Sequence, residues 1–422
     1  MTYAYNVCIC HILTAMRILL TEGSGLSSRQ VTTRLARSGH LVDVVSSDPW
    51  CLARFTRHVG RLHPVPRYSD DPWAWLDAAL EVYLSGGYDL LLPTQEQVAV
   101  LARADQQGRL GGVCTVVPEF SALLAVQDKV SAAATLDRCG IAQPPTQILR
   151  STDPDAVTVE LPAYVKLPIG TATSGVRRVA DREDLRCVLG EWAATVVRTG
   201  VVVQSHVEGT FHMVQAVFDR GVLRAVHANE RVREGARGGA SHKRGVRRAD
   251  VCGSVERLGT ELDWHGALSA DVIDGPNGPV VIDVNPRIVE PANAWCSGVD
   301  LVGELVRSAT GRSDAAPVPT ERDGVQTHQF LLAVLGAAQH SRTRRAVWRE
   351  VHDAARGRSS YRHSTEELTP WRGDARTALP VGAAVLATLA RPATWTWFSS
   401  GSVASYAMGP DSWAQVCAGA PE

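Results

Sequence analysis

Val281-Ile282-Asp283-Val284-Asn285-Pro286-Arg287 says more about architecture and chemistry than any other run in the chain. Two apolar residues lead into a carboxylate, an amide two positions later, then a proline and a guanidinium. On a strand, side chains two apart share a face, so Asp283 and Asn285 can offer oxygens to one ion. Hard oxygen ligands of this kind suit Mg²⁺, which reaches proteins through one or two carboxylates plus nucleotide phosphates. Arg287 adds a fixed positive charge able to meet a phosphoryl or carboxylate group. Read alone, the run is equally an ordinary core strand ending in a polar turn. Asp271 tips the balance. It sits in Leu268-Ser269-Ala270-Asp271-Val272-Ile273, before the turn Asp274-Gly275-Pro276-Asn277-Gly278. Strand, tight turn, strand is the expectation, with Asp271 near Asp283 on the neighbouring strand.

A chain of 422 residues has room for two or three domains and a large core. Its net charge is −1, with both signs spread along the sequence. No basic or acidic block points to nucleic acid or a membrane surface. The nine cysteines are odd in number, scattered and free of any Cys-x-x-Cys pair, which fits a reducing cytoplasm and indicates neither zinc nor a disulfide framework. No apolar run reaches transmembrane length; the longest candidate, 378–390, ends in Arg391-Pro392. Residues 1–15 lack the basic start of a secretory signal. Met16 reads as the natural start and 1–15 as an upstream extension.

From Met16 onward, short apolar strands alternate with helices: a strand to Glu22, a helix over 27–38, strands at 41–45 and 88–93, then a helix from Gln95. This pattern predicts a parallel, doubly wound sheet. Asp128-Lys129 opens a helix closed by Gly140, and 162–285 is strand-rich. A linker over 312–324 leads into a mixed, mostly helical C-terminal region. There, 378–390 followed by Trp395-Thr396-Trp397-Phe398 reads as a helix packed on the core, with a partner-facing or membrane-peripheral surface as the alternative.

Three further stretches carry candidate chemistry, each with a plainer reading beside it. Tyr164-Val165-Lys166-Leu167-Pro168 puts a lysine on a strand before the loop 169–176, whose small residues, Ser174 and Gly175 among them, can offer N–H groups to phosphates. A polar hairpin with an exposed lysine has the same look. Val203-Gln204-Ser205-His206-Val207-Glu208-Gly209 is a buried-looking strand that turns polar; Glu208 either holds ribose hydroxyls or caps a turn. The stretch 230–248 carries Arg231, Arg233, Arg237, His242, Lys243 and Arg244 among four glycines, and reads as a mobile basic loop for anionic groups or as solvated surface.

In this order the pieces resemble the ATP-grasp superfamily of carboxylate–amine and carboxylate–thiol ligases, over roughly 112–311. The resemblance implies α/β and α+β architecture: a Rossmann-like domain (16–112), an ATP-grasp domain of two α+β subdomains (113–311), and a mostly helical C-terminal extension (312–422). It implies Asp271, Asp283 and Asn285 as ligands of Mg²⁺, with Mn²⁺ as the alternative ion. It implies Lys129, Lys166, Ser174 and Gly175 on ATP phosphates, Gln204, the Val207 main-chain N–H and Glu208 around the adenosine, and Arg287, Lys243 and Arg231 as catalytic cations. Two positions depart from the pattern. Phe211 stands where many relatives place a ribose-binding acid, and Ser269 where several carry an arginine.

The implied reaction activates a small carboxylate as an acyl-phosphate, releasing ADP, for attack by an amine or thiol, in an enzyme for which homo-oligomerisation is left open. Two other readings stand beside it. Gly23-Ser24-Gly25 after a first strand, with Asp43 downstream, allows an NAD(P)-dependent oxidoreductase, although Ser28 breaks the glycine fingerprint. Phe211 and Ser269 allow an ATP-binding module without catalysis.

Overall fold

The computed structural model describes residues 15–170, 175–311, 321–368, 374–401 and 403–420. The expected extension before Ala15, Ser174, which was expected to contact phosphates, and linker residues 312–320 lie outside them.

Strands β1 (Arg17–Leu20), β2 (Leu41–Ser46), β3 (Val59–Pro64) and β4 (Leu90–Leu92) form a parallel sheet in the order β3-β2-β1-β4. Ile18, Leu19 and Leu20 are wholly buried, as expected of a parallel strand covered on both faces. Helices Leu26–Arg37, Pro72–Gly86 and Val98–Gln106 connect or follow these strands. The strand β3 and the helix after it were not anticipated.

A second, smaller sheet is built from β5 (Thr146–Leu149), β6 (Ala163–Lys166), β7 (Val176–Val179) and β8 (Val201–Ser205), in the order β5-β8-β6-β7. Its apolar face, including Val165, Val179 and Val203, packs with Leu185, Leu189 and Val196 from helices Arg182–Glu191 and Ala193–Arg198.

The third sheet runs through β9 (Thr210–Asp219), β10 (Val222–Glu234), β11 (Ala240–Val246), β12 (Gly266–Gly275), β13 (Gly278–Asn285), β14 (Gln326–His328) and β15 (Ser364–Glu366), in the order β13-β12-β9-β10-β11-β14-β15. Helix Ala249–Glu261 packs on β9, β10 and β12. The stretch read as a mobile basic loop is here the β10–β11 hairpin, paired from Ala228↔Val246 to Glu234↔Ala240. Its alternating polar side chains find buried partners from distant segments, which a local reading does not show.

The C-terminal region is mostly helical, with helices Phe330–Ser341, Arg344–Ala355, Ala378–Ala390, Trp395–Gly401 and Pro410–Ala418. It also adds β14 and β15 to the large sheet. Ion pairs fasten it: Arg29–Asp374 at 2.6 Å, both buried, and Arg233–Glu350. Its apolar cluster of Val334, Ala338, Val347 and Val381 also meets Leu26 and Leu52 of the first unit.

Candidate functional site

The strand–turn–strand expectation for Asp271 and Asp283 is met residue for residue. β12 and β13 pair antiparallel with Asp271↔Asp283 and Ser269↔Asn285 in register. Asp271, Asp283 and Asn285 all line one large cavity, of about 1520 Å³, lying between the small and large sheets. Burial, then the facing charge of Asp283, pushes the Asp271 carboxyl up to about 7. Two acids held this close, with a neutral amide oxygen beside them, suit a divalent cation, which would relieve their repulsion.

Lys166 ends β6 and bridges the two sheets. Its Nζ donates to Gln204 Oε1 at 2.8 Å and to the Ile282 carbonyl at 2.6 Å. Both partners are neutral, so burial lowers its pKa to about 8, against the opposing pull of Asp283. Lys129 opens the helix Lys129–Arg138, whose N-cap Asp128 accepts from the Ser131 N–H at 2.8 Å. Its Nζ lies 3.2 Å from Asp283 Oδ1. Two lysines therefore face the paired acids.

Gln204, Val207, Glu208 and Gly209 line the same cavity at the end of β8. Among the described residues the Val207 N–H has no protein partner, because the hydrogen bonds of the segment stop at Ser205 and His206. A Cβ on Gly209 would lie 2.3 Å from the Asp274 carbonyl, so only glycine lets the hinge approach β12 this closely. Gly175 has φ +75° and accepts from the Leu167 N–H at 2.8 Å, joining the two ends of the segment between β6 and β7. Met213, Ile273 and Ile282 give this end an apolar wall.

The expected cations separate. Arg231 lines the cavity, stacked over Phe211 with its guanidinium 4.5 Å from the ring centroid. Arg287 lines it too, but is paired with Glu96 of the first unit (Nε–Oε1 3.1 Å). Lys243 is fully buried on β11, outside the cavity lining, held by Glu290 and by Glu367 at 3.0 Å. Those carboxylates raise its pKa well beyond that of a free lysine despite the burial. Ser269, at the position of the missing arginine, donates to the Arg287 carbonyl at 2.8 Å and so fixes that turn.

Several cavity residues were missed. Gln95 and Glu96 follow β4, and Tyr406 lies among the charges of Arg287, Glu22, Glu96 and Glu290. The sequence signal for Gln95 and Glu96 was their place after a parallel strand's carboxyl end, where open α/β sheets bind ligands. The dinucleotide turn is occupied instead: the buried Glu22 carboxylate accepts from the N–H groups of Ser24 and Gly25. Asp43 accepts from the Arg61 N–H and the Tyr88 hydroxyl, both at 2.7 Å. These contacts leave neither a pyrophosphate cradle nor a ribose acceptor.

The sequence pattern of the family described as the ATP-grasp domain matches residues 126–291, the segment carrying both lysines, the hinge and the paired acids. Residues 126–291 are an ATP-grasp domain. Solved ATP-grasp-type structures resemble it in fold. The biotin carboxylase domain of Hydrogenobacter thermophilus 2-oxoglutarate carboxylase, solved with MgADP and bicarbonate, aligns with a TM-score of 0.59 at 16% identity, covering 74% of this chain and 73% of that one. An L-amino acid ligase from Bacillus licheniformis aligns at 0.55 and 17% identity, covering 69% and 74%. N5-carboxyaminoimidazole ribonucleotide synthetase from Thermotoga maritima aligns at 0.54 and 14%, covering 74% and 79%. No curated protein sequence matches this chain. Among its described residues, no helix is long and apolar enough to cross a membrane.

Proposed function

We propose that this protein is an Mg·ATP-dependent ligase that activates a carboxylate as an acyl-phosphate for attack by an amine or thiol. One observation carries the reading: paired acids and an amide on β12 and β13 face two lysines across a cavity that also holds an unpartnered hinge N–H. The L-amino acid ligase and the synthetase among the fold's neighbours support the reaction class.

Val207 would bind the adenine edge, and Glu208 the ribose in place of the acid that Phe211 replaces. Lys166 and Lys129 would hold the phosphates. Lys166 suits this because its buried charge is hydrogen-bonded only to neutral oxygens and burial still lowers its pKa despite Asp283, so an anion is favoured there. Asp271, Asp283 and Asn285 would hold Mg²⁺, which when bound neutralises phosphate charge as the γ-phosphoryl transfers. Arg287 and Arg231 would steady the transferring group, Arg287 on exchanging Glu96 for it. A carboxylate oxygen attacks the γ-phosphorus, the bond to the bridging oxygen breaks, and ADP leaves. The nucleophile then displaces phosphate from the acyl carbon. Lys243 takes a different part from the one expected: it positions Glu290 at the cavity wall.

An ADP-release screen with Mg·ATP against paired acids and amines tests the reaction. ADP that appears only with a particular pair, and is lost in Asp283→Ala with the fold retained by circular dichroism, is the expected result. AMP as the product, or undiminished turnover in Asp283→Ala, would overturn it.

A further inference from the structure

The cavity is larger than its nucleotide end requires and changes character along its length. Pockets for drug-sized ligands measure about 300–1,000 Å³, against about 1520 Å³ here. The end bounded by Lys129, Lys166, Glu208, Asp271 and Asp283 is polar and charged. The far end is walled by Leu331 and Leu335 of helix Phe330–Ser341, Ala384 and Ala387 of helix Ala378–Ala390, and Leu52 and Phe55 of the first unit.

The sequence explains why room remains there. Helix Ala378–Ala390 carries no charged residue, and the side chains it turns to the cavity are Pro380, Ala383, Ala384 and Ala387. Their i, i+3, i+4, i+7 spacing makes one face of a helix. Small side chains on that face make a trough, while Val381 and Val385 pack away into the C-terminal core. Charged side chains near this end are Asp48, which accepts from the Trp50 N–H at 2.8 Å, and Glu234 and Arg237 of the β10–β11 hairpin, where Arg237 is engaged by Ser399 at 3.0 Å. Polar groups gather between the two ends: Gln95, Tyr406 and Arg287. Gln95 is 2% exposed and lines this stretch, and its Nε2–H is the group able to donate to a carboxylate.

We propose that the carboxylate substrate is an amphiphile, its carboxyl group lying by Arg287 and Gln95 and its extended apolar chain occupying the trough between helices Phe330–Ser341 and Ala378–Ala390. What reacts rests on the ligase reading; what binds in the trough does not. Burying a hydrocarbon chain against apolar walls tightens binding by about threefold to fourfold per methylene, until the trough is full. The chain also fixes the carboxyl group near Asp283 and Asn285, where the γ-phosphate would lie.

Two measurements on the full chain keep the ideas separable. Calorimetry with butyrate, hexanoate and decanoate reads the trough directly. Hydroxylamine in the presence of Mg·ATP reads activation without the natural nucleophile, because its nitrogen attacks the acyl carbon, loses a proton to solvent and expels phosphate to leave a hydroxamate. The expected result is affinity rising with chain length, hydroxamate formed best from decanoate, and Ala387→Phe weakening decanoate at least about tenfold with Mg·ATP affinity unchanged. Equal or absent binding across the wild-type series overturns the proposal, whatever hydroxamate short acids give. Chain-length-dependent binding without any hydroxamate upholds the apolar trough and counts against the ligase reading instead.

Discussion

Lys166 and Lys243 are both buried lysines on strands, and they have opposite surroundings. Lys166 meets a side-chain amide and a main-chain carbonyl, both neutral, and faces the cavity between two sheets. Lys243 lies behind the cavity wall and meets two carboxylates, the buried Glu367 and Glu290 of the wall itself. The first lysine's pKa falls to about 8, and the second's rises above the ordinary lysine value. A buried charge with neutral partners is poised for an anionic ligand, whereas one already paired belongs to the structure. The residue type alone could not separate these roles; the charge on the partners does.

The largest effect that would sharpen this contrast is on stability. Lys243→Met leaves the buried Glu367 and the half-buried Glu290 without their cation and should destabilise the protein by about 3–5 kcal/mol. Chemical denaturation measures this, and adding Glu367→Gln should recover part of the loss. Lys166→Met should behave in the opposite way. Its unfolding midpoint should stay near that of the wild type, while ADP release with the identified substrate pair falls about 10²–10³-fold, the usual cost of losing one charge-stabilising donor. A strongly unstable Lys166→Met with near-normal turnover would collapse the comparison.

A second contrast concerns protons rather than lysines. His242 on β11 stacks on His328 of β14 with ring centroids 5.5 Å apart, and Tyr361 meets both edge-on. Burial holds His242 down to about 3, helped by His328 and Arg233, and burial holds His328 down to about 4 against the pull of Glu367 and Glu350. The unfolded chain takes up these protons below about pH 6.5, and the folded chain refuses them until about pH 4 and about 3. Their contribution is therefore complete above pH 6.5 and is lost as pH falls towards 3. At pH 5 the loss should be about 2 kcal/mol per histidine. Denaturation at pH 7.5 and pH 5 checks the slope, which His242→Gln should flatten.

The metal-type pair was legible because everything that places it is local. Period-two spacing puts Asp283 and Asn285 on one face, and the turn through Gly275 and Gly278 brings Asp271 opposite. Lys166 was legible from its place on a strand before a loop of small residues, and Lys129 only through the family resemblance. Lys243 was misjudged because its partners lie 47 and 124 residues away in sequence. The Arg287–Glu96 pair spans 191 residues and left no local trace. Strands β14 and β15, three residues each, are too short to display an alternation at all.

Phe211 offers the smallest and most discriminating effect. The resemblance to ATP-grasp ligases expects an acid here, and the ring lies instead under the Arg231 guanidinium at 4.5 Å. Such a cation–π contact contributes about 0.5–1 kcal/mol at a partly exposed site. Arg231 in turn lowers the Asp271 pKa, opposing the burial that raises it. Phe211→Leu keeps an apolar side chain but removes the π face, freeing Arg231 to swing away from the paired acids. If the ring's task is to hold Arg231, kcat should fall about twofold to fivefold with the KM for ATP unchanged. If the ring contacts the nucleoside in place of the missing acid, the KM for ATP should rise and kcat should hold. The split between the two constants decides whether Phe211 serves the charged wall of the cavity or its nucleotide end.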